Sequence, residues 1–91
     1  MIPVQHFMPA AVADIIRRAP LTQEKVAFAW RSAVGQAVDH VTSIELRDGI
    51  LHVRARDAAW AREVERSAAL IRARLDSLLG EGVVRRIRVA A

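Results

Sequence analysis

The sequence predicts an α+β domain in the order α-α-β-β-α-β, with helices packed on one face of a three-stranded sheet. Three observations carry this. An Asp48-Gly49 pair separates two runs of alternating apolar residues, the mark of a tight hairpin. Apolar stripes at helical spacing precede and follow it. A short alternating tail over residues 83–89 supplies a last strand. All 91 residues read as one domain, with no repeat, linker or low-complexity tract.

The first helix starts with Pro9 at its first position, where a missing N–H is harmless, and Pro20 ends it. Asp14 is placed to pair with Arg17 or Arg18 one turn on. Thr22 is the N-cap of a second helix running to about Asp39. Its buried stripe is Val26, Trp30, Ala33, Val34, Ala37 and Val38. Gly35 interrupts this helix at a cost of about 1 kcal/mol relative to alanine, which suggests close backbone approach by another element.

Residues 41–56 form the hairpin. Asp48-Gly49 suits the two positive-φ positions of a type I′ turn. That turn sets Leu46 opposite Leu51, Ile44 opposite Val53 and Thr42 opposite Ala55, on a largely apolar face. The other face pairs Arg47 with Ile50, Glu45 with His52, Ser43 with Arg54 and Val41 with Arg56. A slip of one residue would mix the two faces. Asp57 then caps a long helix to about Leu79, roughly 34 Å at the α-helical rise. Its stripe is Trp60, Val64, Ala68, Ile71, Leu75 and Leu78, and Gly80 and Gly82 end it. In the last strand Val83, Ile87 and Val89 face one way and Val84, Arg86 and Arg88 the other; Arg85 breaks the first group and marks a strand end.

Catalytic constellations are missing. His6, His40 and His52 form no i,i+4 pair, and there are no cysteines to complete a zinc set or a disulfide. Asp39 and His40 adjoin in sequence but point apart on a helix. No serine has a nucleophile-elbow context, and Gly80-Glu81-Gly82 follows a helix instead of opening one, so it cradles no phosphate. The reading is a non-enzyme without cofactor, metal or small-molecule substrate. His52 is a cross-strand partner for Glu45. No basic residue precedes the apolar residues 10–16, Asp14 interrupts them, and no apolar run approaches the roughly 20 residues of a membrane span. A cytoplasmic location follows.

Charge points to a partner class. The net charge is +4, with a pI near 11.3. Residues 1–45 carry four bases and four acids, whereas residues 46–91 carry ten bases and six acids. Thirteen of the fourteen bases are arginine, which a GC-rich genome also produces. Arg47, Arg54 and Arg56 lie on the polar face of the hairpin, Arg86 and Arg88 on the outer side of the last strand. If that strand joins the same sheet, the five guanidiniums share one surface able to track a phosphate backbone. The bland alternative is an ordinary solvated sheet face. Trp30 sits mid-stripe as a core residue. Trp60, in a first helical turn, is either core or an anchor for a partner.

Trp30, Val34-Gly35, His40, Leu46, Asp48-Gly49, Leu51, Val53 and then Trp60 resemble, in order and spacing, the DciA family. The resemblance covers about residues 22–89. It departs at Val41 and Ser43, where the family often shows Thr and then Pro, which bears on entry into the first strand. It implies a KH-like domain that contacts the DnaB-type replicative helicase and assists its placement on single- or double-stranded DNA. The G-x-x-G loop of KH domains is absent, so their nucleotide clamp does not carry over. A stand-alone nucleic-acid-binding module and a protein-interaction domain are the alternatives.

Overall fold

The computed structural model describes residues 8–91, and His6 lies outside the described residues. β1 (Thr42–Arg47) and β2 (Ile50–Ala55) pair antiparallel in the expected register, Thr42 opposite Ala55 through Arg47 opposite Ile50. Asp48 at φ 52° and Gly49 at φ 78° give the turn its two left-handed residues. The Arg56 N–H donates to the Val41 carbonyl at 2.9 Å, which extends the pairing one step past the strands. β3 (Arg86–Ala90) lies parallel to β2, Ile50 opposite Arg86 and Val53 opposite Val89, in the order β1-β2-β3. The parallel pairing requires a helical crossover between the two strands.

The last strand is shorter than its alternation predicts. Residues 81–84 are a turn, and Val84 drops into the core at 1% exposure instead of facing outward with Arg86 and Arg88. Arg85 does more than mark a strand end. Its N–H donates to Gly49 O at 2.7 Å, and its Nη2 donates to Asp48 O at 2.6 Å. One residue thereby clasps the hairpin turn from the side.

The helices keep the expected order, but two of them are broken. α1 (Ala10–Arg18) has Pro9 just before it as N-cap, and its Asp14 pairs with both Arg17 and Arg18. Thr22 caps α2 (Gln23–Val34) as expected, its Oγ1 accepting from Lys25 N at 3.1 Å. α2 stops at Gly35, whose φ of 86° and ψ of 164° suit glycine alone, and a separate α3 (Gln36–His40) follows. A Cβ on Gly35 would meet nothing within 4 Å, so the expected close backbone approach is overturned. The glycine is required by its backbone angle. The long helix is likewise two, α4 (Ala58–Arg66) and α5 (Ala68–Leu79), separated at Ser67, whose N–H is shared between Glu63 O and Val64 O. Asp57 caps α4, its Oδ1 accepting from Trp60 N at 2.9 Å.

Breaking the helices lets each half take its own partners. α4 packs against β2 and β3, and α5 against α1, α2 and β3. One buried cluster results, in which Leu51 and Val53 of β2 meet Val26 and Trp30 of α2, Val64 of α4, and Leu75 and Leu78 of α5. Trp30, 1% exposed, donates from Nε1 to Thr42 Oγ1 at 2.9 Å, and that hydroxyl donates to Val38 O at 2.8 Å. This chain joins α2, α3 and the entry to β1.

Two substitutions test this account by urea denaturation. Gly49→Val should cost roughly 1–3 kcal/mol, because a β-branched residue resists positive φ and its Cβ would stand 2.4 Å from Arg85 Nε. An unchanged midpoint would refute the turn. Thr42→Val keeps the shape but strands the buried indole N–H and should cost about 1–3 kcal/mol.

Candidate nucleic-acid interface

Strand parity decides what the outer face presents. The registers align Arg47–Ile50–Arg86, Glu45–His52–Arg88 and Ser43–Arg54–Ala90 as three rows across the sheet. Arg56 follows one step beyond β2 with the same parity and is exposed. All five arginines singled out from the sequence therefore share one solvent-facing surface, with the His52 imidazole among them and no Trp, Tyr or Phe.

Their arrangement is more specific than a patch. Arg86 and Arg88 are alternate residues of β3, and Arg54 and Arg56 alternate residues along β2. At about 3.3 Å of rise per residue and about 4.8 Å between strands, Arg86, Arg88, Arg54 and Arg56 form a diagonal file with steps of about 7–8 Å. Arg47 stands off this file on β1, its Nε 3.4 Å from Glu45 Oε1. Glu45 thus pairs with Arg47, although His52 is its cross-strand neighbour as expected.

The face is concave. An open trough of about 940 Å³ is lined by Ser43, Glu45, Arg47, His52, Arg54, Arg88 and, from α4, Glu65. A second hollow of about 400 Å³, lined by His40, Arg56 and again Ser43 and Arg54, continues it toward the end of the sheet. Chemically this surface offers guanidinium forks, imidazoles and a hydroxyl to an extended anion, without a closed pocket for a small molecule.

Trp60 is half-buried in the first turn of α4 and lines neither hollow. Trp30 is core, as its stripe position implies. Among the described residues no group of three His, Cys, Asp or Glu could hold a metal ion, and no helix is long and apolar enough to cross a membrane. Two contributions escape the sequence reading. The Arg85 clasp had a signal, the break in alternation; Glu65 had none, because its place in the trough depends on how α4 lies against β3.

A family model described as "Dna[CI] antecedent, DciA" matches residues 3–89. The chain belongs to the DciA family. Curated relatives of this DciA domain carry the name UPF0232 protein. One from Mycolicibacterium smegmatis is 32% identical over 72 residues, 78% of this chain and 37% of that protein. Another from Mycolicibacterium paratuberculosis is 36% identical over 61 residues, 66% of this chain and 34% of that protein. A third from Rhodococcus jostii is 36% identical over 61 residues. The chain spans about a third of the length of the relatives it matches.

Proposed function

We propose that this DciA domain is a non-enzymatic cytoplasmic adaptor that binds the DnaB-type replicative helicase and assists its loading on DNA. It touches nucleic acid weakly and without sequence preference through the outer sheet face. Family membership across residues 3–89 supports the helicase role. The observation that carries the nucleic-acid role is the diagonal file Arg86, Arg88, Arg54, Arg56 on a face without Trp, Tyr or Phe. Its spacing suits successive phosphates, and it carries no Trp, Tyr or Phe on which bases would stack. Contacts of this kind release counterions, so binding should be micromolar or weaker, about the range of non-specific association, and should fall steeply with salt.

The two roles use opposite layers. The basic face belongs to the sheet, while the helices cover its other side and carry Trp60, the candidate anchor for a protein partner. An adaptor built this way holds helicase and DNA at once, neither contact blocking the other. The same arginine file also fits a stand-alone nucleic-acid-binding module, which differs in having no helicase affinity.

The separating experiment replaces Arg54, Arg56, Arg86 and Arg88 with serine, after circular dichroism has shown that the fold survives. Anisotropy should show DNA binding strongly weakened, with the residual salt slope at low salt reduced by roughly three to four. Calorimetry without DNA should show helicase binding retained. Joint loss would make the basic face itself the helicase site, and absence of helicase affinity in the unaltered protein would favour the stand-alone module.

A further inference from the structure

Cations do not line the outer trough alone. Glu45 stands on β1, one edge of the sheet, and Glu65 reaches the trough from α4, the helix packed against β3 at the other edge. Both residues are exposed. Between them lie Arg88, His52 and Arg54. The two edge strands are separated by two strand spacings, about 10 Å. We infer that Glu45 and Glu65 form a carboxylate fence that confines bound nucleic acid to one phosphate lane, so that the face accepts a single strand and rejects a duplex. This rests on the nucleic-acid reading above and names the residues that set its selectivity.

A single phosphodiester chain laid along Arg86, Arg88, Arg54 and Arg56 meets a guanidinium at each step. A duplex brings a second phosphate row, separated from the first by a groove about 6 or 12 Å wide. With one row on the arginine file, that separation carries the other onto the flanks, where Glu45 or Glu65 stands. At Glu65 like charges brought together oppose docking, the usual way an interface turns away a wrong partner. At Glu45 the carboxylate is already paired with Arg47, so the row meets an ion pair with no free cation to receive it. The face carries imidazoles and guanidiniums but no Trp, Tyr or Phe platform on which to stack unpaired bases, so discrimination comes mainly from rejection. Glu45 has a second effect. Its ion pair with Arg47 occupies the one cation of the face that lies on β1, and so keeps the attractive lane narrow.

Replacing Glu45 and Glu65 together by glutamine preserves side-chain size and removes both charges. A matched control, Glu24→Gln with Glu81→Gln, makes the same change in net charge at two exposed positions that do not line the trough. Anisotropy with a labelled single strand of mixed sequence, and with the duplex formed from its complement, reads the outcome. The unaltered protein should prefer the single strand. The trough variant should gain about 3- to 10-fold on the duplex, as expected from two exposed charge contacts, and much less on the single strand. The control should shift both ligands slightly and alike. Equal gains on both ligands, a control that matches the trough variant, or an unaltered protein that prefers duplex would overturn the fence. If the unaltered protein binds both forms and the glutamines change nothing, the fence fails and the nucleic-acid reading stands. If it binds neither, both fall.

Discussion

Asp48 and Gly49, both at positive φ, hold β1 and β2 in a register that every residue of the outer face inherits. A shift of one residue would turn Arg54 inward and send Leu51 and Val53 into water. Arg85 extends the control of this turn to the third strand, bonding through its backbone to Gly49 and through its side chain to Asp48. A two-residue turn therefore governs two strand pairings, one antiparallel and one parallel. That coupling adds to the parallel β2–β3 ladder, which itself sets Arg86 and Arg88 in register with β2.

What the sequence makes legible is what depends on local chemistry. Turn type follows from Asp-Gly, and side-chain parity from the turn, so the hairpin and the shared arginine face are readable in advance. Thr22 and Asp57 announce their helices because capping is a bond over three residues. The helix breaks are not readable in the same way. The apolar period runs on through Gly35 and Ser67: α4 and α5 both bury residues in the core, while α3 lends only the partly buried Val38 and leaves Ala37, expected on the buried stripe, exposed. Residues from both breaks, Val34 and Val38 on one side and Ser67 and Leu70 on the other, line one small cavity of about 110 Å³. The bends go with the different neighbours that each half packs against, a tertiary matter that periodicity does not register. The Arg47–Glu45 pair escapes for another reason: parity says which face a flexible side chain leaves from, not which neighbour it takes.

Cations serve differently in the two layers. Lys25 is buried, and its ammonium bonds to Arg17 O and Ala19 O at the end of α1. Arg74 donates to Ala33 O at the end of α2, and Arg17 to Ser77 O across to α5. Each meets carbonyls that a helix end leaves without partners. In the helical layer these three cations are thus structural, tying one element to the next. On the sheet the file from Arg86 to Arg56 projects into solvent instead. Net charge alone would count these groups as equivalent, and they are not.

The parallel partner of β2 is also its most distant one. Arg47 and Ile50 close across two residues, whereas Ile50 meets Arg86 only after both α4 and α5 have intervened. Closing a longer loop costs more chain entropy, and non-local pairing slows folding, so the hairpin has the shorter route to completion and β3 the longer. Arg54 and Arg56 ride on the early piece, Arg86 and Arg88 on the late one. A chain still emerging from synthesis, or one whose last strand has frayed, carries only half of the basic file. The face that we assign to DNA is continuous only when folding has finished, which makes tight engagement a property of the completed domain.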